Sequence, residues 1–129
     1  MKLDILAIAA HPDDVELSSS GTIIKSILQG KKVVILDLSK GELGTRGTPE
    51  IRAMEAARAS EIMGLTVREN LGLPDGFLNN VKEQQLAIIP FIRKYRPDIV
   101  LANALTDRHP DHEMGAALSA KSCFLSGLK

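Results

Sequence analysis

The chain alternates between short, continuous runs of apolar residues and longer segments in which apolar residues recur at helical spacing. A continuous run such as LDILAIAA at 3–10 is typical of a strand that is covered on both faces of a sheet. The pattern predicts strands at 3–10, 33–38, 66–71 and 98–103. It predicts helices at 17–29, at about 49–63, at about 81–95 and from about 112 onwards.

Residues that favour helix ends mark several of these boundaries. They are Gly30 after the first helix, Thr48 with Pro49 at the start of the second and Gly64 after it. Asn80 and Glu83 have the spacing of a capping box at the start of the third helix. Pro90 is expected to kink or shorten that helix, because proline lacks the backbone N–H that a helix interior uses.

Strands that alternate with helices predict an α/β fold of the Rossmann-like, doubly wound type, with a mostly parallel sheet and helices on both faces. Right-handed crossovers favour the strand order 3-2-1-4, in which the first and fourth strands are neighbours. The winding direction of the chain reverses between these two strands. Ligands bind at the carboxyl ends of the strands at such a reversal, so the loops after strands one and four are the expected site.

Two polar stretches of similar composition stand in these two loops. AHPDD at 10–14 follows the first predicted strand, and DRHPDH at 107–112 follows the fourth. Each places histidine, proline and aspartate behind an apolar run, which packing alone does not explain. We therefore expect the two stretches to face each other across one crevice.

His11, Asp14 and His112 form the ligand set that is expected of a catalytic zinc site. Two imidazoles and one carboxylate leave the fourth tetrahedral position for water, and zinc lowers the pKa of that water toward about 7. A set without cysteine suits a catalytic site better than a closed structural one. It also accepts Fe(II) or Co(II), and affinity trends alone do not decide which ion is bound in a cell.

Asp13 and His109 are the candidate catalytic residues beside this metal. Asp13 neighbours a ligand but is expected to point elsewhere, which suits a general base. His109 is expected to serve as a general acid, or as an imidazolium that stabilises a developing oxyanion. A metal, a base and a cation together fit the hydrolysis of an amide or an ester.

Simpler interpretations exist for the acidic residues. Asp13 and Asp14 suit the N-cap and first turn of a helix, where carboxylates complement free backbone N–H groups. Asp107 and Asp111 suit a solvated loop, a helix cap or a carboxylate that supports a histidine ligand. Coincidental surface polarity is the remaining alternative, but two clusters of histidine and aspartate at neighbouring strand ends weigh against it.

The glycine-rich stretch GELGTRGT at 41–48 is not a dinucleotide fingerprint, because its glycines are evenly spaced and it does not follow the first strand. It predicts either a flexible loop or a substrate loop on the rim of the crevice. In the second case Arg46 and Arg52 would grip an anionic group, since a planar guanidinium bonds both oxygens of a carboxylate. An ion pair with Glu55 is the alternative for Arg52.

The composition narrows the class of protein. A length of 129 residues suits one domain over 1–129, and Lys+Arg and Asp+Glu balance at 16 each. This balance argues against a nucleic-acid binder or a polybasic membrane module, and no apolar run approaches the length of a membrane span. Cys123 is the only cysteine, so no disulfide forms within the chain and a reducing cytoplasm is the expected compartment.

The motifs resemble those of the PIG-L/LmbE-like zinc deacetylases. The stretches that carry the resemblance are AHPDDVE, KGELGTRGT, the R-x-x-E of Arg52–Glu55, ENLGLPDG, KYRPDIV and DRHPDH. Of these, GELGTRGT and LGLPDG are most similar to the bacillithiol-biosynthesis branch. The resemblance implies an enzyme in which a zinc-activated water removes acetyl from an N-acetylglucosamine conjugate, in that branch the malate glucoside. By position it implies zinc ligands at His11, Asp14 and His112, a general base at Asp13, an assisting histidine at His109 and a substrate-binding arginine at Arg52.

The resemblance also implies a homo-oligomer and a longer chain. ELSSSGT lacks the glycine-rich character that is expected after the first motif. Family members also continue beyond this C-terminus, so we expect a domain that is truncated there. The rival functions are deacetylation of another amino sugar, a metal-dependent phosphoesterase with a second metal, and an inactive domain that keeps only the metal.

Overall fold

The computed structural model describes residues 1–129 and contains four strands and four helices in alternation. The strands are β1 (Ile5–Ala9), β2 (Val33–Asp37), β3 (Val67–Asn70) and β4 (Ile99–Leu101). The helices are α1 (Asp14–Leu28), α2 (Pro49–Met63), α3 (Lys82–Tyr95) and α4 (Pro110–Ser126). Crossing a membrane demands a longer and more apolar helix than any of these four.

The four strands form one sheet in the order β3-β2-β1-β4, and every neighbouring pair is parallel. The predicted α/β class and strand order are therefore confirmed. Every residue of β1 and β2 is buried, which is the reason for their continuous apolar sequences. The edge strands β3 and β4 are only partly covered.

Alternate residues of the central strands supply two separate cores on the two faces of the sheet. Leu6 and Ile8 of β1 point to the face that is covered by α3 and α4, where they join Ile88 and Leu118. The intervening β1 residues, Ile5, Ala7 and Ala9, point to the other face, where they pack with Val15 and Ile23 of α1. Helices thus lie on both faces, as the doubly wound prediction requires.

Two helices begin earlier than the apolar pattern predicts, and both early starts lie in the polar motifs. Helix α1 begins at Asp14 and not at 17, and α4 begins at Pro110 and not near 112. The imidazole of His109 caps α4 by accepting a hydrogen bond from the N–H of Asp111. Polar first turns carry no apolar periodicity, so the hydrophobic pattern does not register them.

The third helix spans nearly the predicted residues, but it lacks the predicted cap. Val81 occupies the N-cap of α3 without a side-chain cap, and Asn80 instead accepts a hydrogen bond from Nε2 of Gln85. The capping-box prediction is therefore wrong. Pro90 neither ends nor shortens the helix, which continues to Tyr95, because the ring lies on the exposed side where water can solvate the carbonyl that loses its partner.

The predicted ends of the first two helices are confirmed. Thr48 accepts a hydrogen bond from the N–H of Ile51, with Pro49 in the first position of α2. Gly64 ends α2 with φ 76°, a left-handed conformation that glycine adopts without a steric penalty. Gly30, with φ 84°, follows directly on the last residues of α1.

A buried ion network ties α1 to the two strands at one side of the sheet. The guanidinium of Arg68 on β3 binds Asp37 of β2 at 2.7 Å and Glu16 of α1 at 3.1 Å. Burial raises the pKa of Asp37 to about 6, and the hydrogen bonds from Arg68 offset only part of that effect. Glu16 lies in the first turn of α1, so the network holds the segment that carries the AHPDD acids.

We expect Arg68→Met to lower the free energy of unfolding by about 3–5 kcal/mol, because it leaves the buried Asp37 and the partly buried Glu16 without a counter-charge. Urea unfolding followed by circular dichroism measures the change. The matched control is Arg58→Met, which removes an exposed pair with Glu61 and should cost at most about 0.5 kcal/mol. Equal losses in the two variants would show that the Arg68 network contributes no more than a surface pair.

Candidate active site

The two polar motifs meet at the carboxyl ends of β1 and β4. These strands are parallel neighbours, with Ile5 opposite Ile99 and Ala7 opposite Leu101, so the chain leaves both of them at the same edge of the sheet. One candidate ligand atom from each of His11, Asp14 and His112 lies within 4.8 Å of the others. The structure thus brings together the three residues that the sequence singles out as metal ligands.

Asp14 is held in place by two N–H donors on one of its oxygens. Oδ2 accepts hydrogen bonds from the backbone N–H of His11 at 3.0 Å and from Nδ2 of Asn103 at 3.1 Å. The other oxygen, Oδ1, lies 3.3 Å from Nε2 of His112. The first turn of α1 therefore presents a carboxylate whose orientation is set before any ion binds.

His11 is buried, and two carboxylates hold its Nε2 atom. Asp111 Oδ2 lies 2.9 Å from Nε2 and Asp75 Oδ1 lies 3.0 Å from it. With the Nε2 proton shared in this way, Nδ1 is the nitrogen that is free to bind an ion, and it lies 3.7 Å from Oδ2 of Asp14. A carboxylate on the far nitrogen of a histidine ligand fixes its tautomer and strengthens it as a ligand.

Asp111 is the most buried acid of the site and joins it to a neighbouring loop. It accepts hydrogen bonds from the backbone N–H of Gly76 and of Leu78, besides its contact with His11. Burial opposes its charge, but the N–H donors and His11 lower the pKa of Asp111 below its usual range. Of the alternatives that the sequence left for this residue, the support of a histidine is the one observed.

His112 has a similar support from Asp107. Its Nδ1 lies 3.2 Å from Oδ2 of Asp107, while its Nε2 faces Asp14. The N–H of His109 and the imidazole of His112 lower the pKa of Asp107, so this carboxylate is charged at neutral pH. In both candidate histidine ligands, a carboxylate therefore contacts the ring nitrogen that faces away from the metal group.

The donor set fits a divalent transition-metal ion. It offers two imidazole nitrogens and one carboxylate oxygen, which suits zinc and equally Fe(II) or Co(II). His11, His109 and Asp111 form a second group within the same distance limit. The oxygens of Asp111 are already occupied by two N–H donors and by His11, so the first group is the better metal site.

Asp13 lies beside the metal group but outside it. It has φ 135° at the N-cap of α1, and its carboxylate makes no capping hydrogen bond, so the simple capping interpretation is wrong for this residue. Partial burial and the neighbouring Asp14 charge raise the pKa of Asp13, while Arg52 at 3.4 Å opposes the rise. A half-exposed carboxylate with a raised pKa is a suitable proton acceptor.

His109 lies against both histidines of the metal group, stacked on His112 and tilted relative to His11. Its ring centroid lies 4.7 Å from that of His11 and 4.8 Å from that of His112. Because its Nδ1 accepts the N–H of Asp111 at 3.1 Å, the neutral ring carries its hydrogen on Nε2. This geometry favours a neutral donor through Nε2–H over the imidazolium that the sequence also allowed.

Arg52 holds the first motif against the glycine-rich loop. Its Nη2 donates to the carbonyl of Pro12 at 2.7 Å, and its Nη1 donates to the carbonyl of Gly41 at 3.3 Å. A side chain on Gly41 would collide with this guanidinium, and Gly41 also has φ 65°. The structure contains no ion pair between Arg52 and Glu55, so the surface-pair alternative is wrong.

The structure does not bring Arg46 to the metal group. This residue is exposed in the loop before α2 and makes no hydrogen bond or ion pair. Asp75 and Asn103 are site residues that the sequence does not single out. Asp75 stands in the turn LPDG and Asn103 just after β4, and position after a strand was the only signal for Asn103.

A cavity of about 520 Å³ opens beside the site, between α2 and the ends of β2 and β3. Pro12, which lies between His11 and Asp13, forms part of its wall, and Lys40 and Arg68 are its basic residues. The other wall residues are Asp37, Pro49, Glu50, Ala53, Ala56, Ala57, Ser60, Glu69 and Asn70. The cavity wall therefore includes the residue that follows the candidate ligand His11 in the sequence.

The sequence profile of the PIG-L family, described as GlcNAc-PI de-N-acetylase, matches residues 6–122. This chain belongs to the PIG-L family. The matched residues include every candidate ligand in the crevice.

Two curated relatives are named as deacetylases of acetylated amino sugars. The diacetylchitobiose deacetylase of Thermococcus kodakarensis is 33% identical over 96% of this chain and 50% of its own length. The 1D-myo-inositol 2-acetamido-2-deoxy-alpha-D-glucopyranoside deacetylase of Nakamurella multipartita is 35% identical over 50% of this chain and 22% of its own length.

The fold has a close counterpart among solved structures. The conserved protein TT1542 of Thermus thermophilus superposes with a TM-score of 0.94 at 46% identity, covering 98% of this chain and 58% of that one. The chain thus spans about half the length of the diacetylchitobiose deacetylase and of TT1542.

Substitution of the two adjacent acids should separate binding from chemistry. We expect Asp14→Asn to weaken zinc binding at least about 10-fold, because it removes the charged oxygen of the group. Asp13→Asn should retain zinc, and asparagine tolerates the positive φ at this position. Titration of the metal-free protein with zinc against a chromophoric chelator measures both. Loss of zinc from the Asp13 variant alone would mean that the two residues have exchanged roles.

Proposed function

We propose that this protein is a metal-dependent hydrolase that removes the N-acetyl group from an N-acetylglucosamine conjugate. The observation that carries the proposal is the grouping of His11, Asp14 and His112 at the ends of β1 and β4, with Asp13 beside that group. Membership of the PIG-L family supports deacetylation as the reaction. The proposal includes zinc as the ion, with Fe(II) or Co(II) as substitutes, and a homo-oligomeric assembly.

A divalent cation held by this group would supply Lewis acidity to the acetyl carbonyl and to the attacking water. Asp13 takes a proton from that water as the new C–O bond forms. His109 donates a hydrogen bond through Nε2–H to the carbonyl oxygen as it gains negative charge. The proton on Asp13 then passes to the sugar nitrogen as the C–N bond breaks, which gives acetate and a free amine.

Arg52 has a positioning part in this scheme. Its bonds to Pro12 and Gly41 and its approach to Asp13 hold the base beside the metal group. These bonds occupy part of the guanidinium, so Arg52 has less capacity to grip a substrate carboxylate than the sequence suggested.

The conjugate itself is proposed to be anionic, with N-acetylglucosaminyl malate, the bacillithiol precursor, as the first candidate. Lys40 in the cavity wall has no ion-pair partner, which supports a carboxylate on the substrate, and Arg46 is an exposed cation outside that wall. The cavity of about 520 Å³ beside Pro12 has the size of a small-ligand pocket. Neutral diacetylchitobiose is the alternative, since a relative is named for it.

An acetate-release assay tests the proposed reaction. The zinc-loaded protein should release acetate from N-acetylglucosaminyl malate, and Asp13→Asn should lose at least about 100-fold in kcat, the usual contribution of a general base. The same assay on diacetylchitobiose compares a neutral substrate, and a phosphate monoester tests for phosphoesterase activity.

Faster turnover of the malate conjugate supports the anionic substrate, and faster turnover of diacetylchitobiose overturns that part alone. Phosphate release without acetate release, or no turnover of any substrate by a zinc-loaded protein, would overturn the deacetylase proposal.

A further inference from the structure

We propose that Asn103 is a positioning residue that makes Asp14 a one-oxygen metal ligand and thereby keeps a coordination position open for water. The inference rests on the metal group of the proposed function. Asn103 belongs to neither polar motif, and it lies two residues beyond the end of β4.

The side-chain amide of Asn103 connects the chain just after β4 to the chain just after β1. Its Oδ1 accepts a hydrogen bond from the N–H of Ala10, just after β1, at 3.0 Å. Its Nδ2 donates to Oδ2 of Asp14 at 3.1 Å. Because a backbone N–H only donates and a carboxylate only accepts, these two partners fix which end of the amide carries the oxygen.

Helix α4 lies beside this amide at Gly115. A Cβ added to Gly115 would lie 3.7 Å from Oδ1 of Asn103 and 3.7 Å from Cβ of Ala10, which is ordinary van der Waals contact. Gly115 and Ala10 are both buried. The two hydrogen bonds of the amide thus give its N–H a defined direction toward Asp14, at a place that α4 covers.

The consequence concerns which oxygen of Asp14 can bind an ion. Oδ2 already receives two N–H donors, from Asn103 and from the backbone of His11, which together occupy its two lone-pair directions. Oδ1, near Nε2 of His112, remains free. A carboxylate that binds through one oxygen contributes one ligand, so the three residues leave the fourth tetrahedral position vacant.

The test compares Asn103→Ala with a matched control, Asn70→Ala. Asn70 at the end of β3 makes a comparable pair of hydrogen bonds. Its Nδ2 donates to the carbonyl of Ser39 at 2.7 Å, and its Oδ1 accepts from the N–H of Gly72 at 2.8 Å. It does not contact a candidate ligand. Both variants lose two hydrogen bonds to the side chain, so they should lose similar stability in urea unfolding of the metal-free protein. Asn103→Leu, which keeps most of the side-chain volume, serves if the alanine variant does not fold.

Two readouts separate positioning from mere structural support. We expect Asn103→Ala to weaken zinc binding by about 10–100-fold and Asn70→Ala to leave it unchanged. X-ray absorption of the zinc-loaded proteins should show one more protein oxygen bound to zinc in the Asn103 variants, because Oδ2 of Asp14 is released.

Equal zinc affinity and equal oxygen count in the wild-type protein and the Asn103 variants would overturn the proposal, as would an equal loss of affinity in the Asn70 control. Failure of the wild-type protein to bind zinc would overturn it together with the metal site. A wild-type protein that binds zinc with the expected difference between variants, but releases no acetate, would leave the positioning role standing and reject only the deacetylase function.

Discussion

The parallel pairing of β1 with β4 is the constraint on which the candidate site depends. The two strands are distant in sequence, yet their register places Ile5 opposite Ile99 and brings AHPDD and DRHPDH to the same edge of the sheet. The pairing is possible because β1 is buried on both faces and has β2 on its other side. A metal group built from both motifs therefore forms only when β1 and β4 are paired.

Around that pairing, polar contacts hold each candidate ligand in place. Each candidate histidine ligand has a carboxylate on its far nitrogen, Asp111 for His11 and Asp107 for His112, and the candidate carboxylate Asp14 has two N–H donors. These contacts cost conformational entropy when the protein folds and not when an ion or a substrate binds. Preorganisation of this kind lets a few residues bind a ligand strongly and speed a reaction.

The fold follows largely from sequence pattern, because burial on both faces of a parallel sheet leaves continuous apolar runs such as 3–10 and 33–38. The grouping of His11, Asp14 and His112 also follows, since topology alone places the ends of β1 and β4 together. The contacts of Arg52 with Pro12 and Gly41 were not foreseeable, because they depend on where α2 lies relative to the first motif. Asn103 contacts the site through two side-chain hydrogen bonds and Asp75 through its approach to His11, and no spacing rule encodes either contact.

The contacts of Asp111 make the turn at 75–78 less tolerant of sequence changes than the loop around Arg46. A single carboxylate joins His11 to the backbone of Gly76 and Leu78, so a shift of that turn is transmitted to the ring that would hold the ion. The stretch around Arg46 has no such tie. An engineer who wishes to graft new recognition onto this scaffold should therefore insert sequence at 44–47 and keep 75–78 intact.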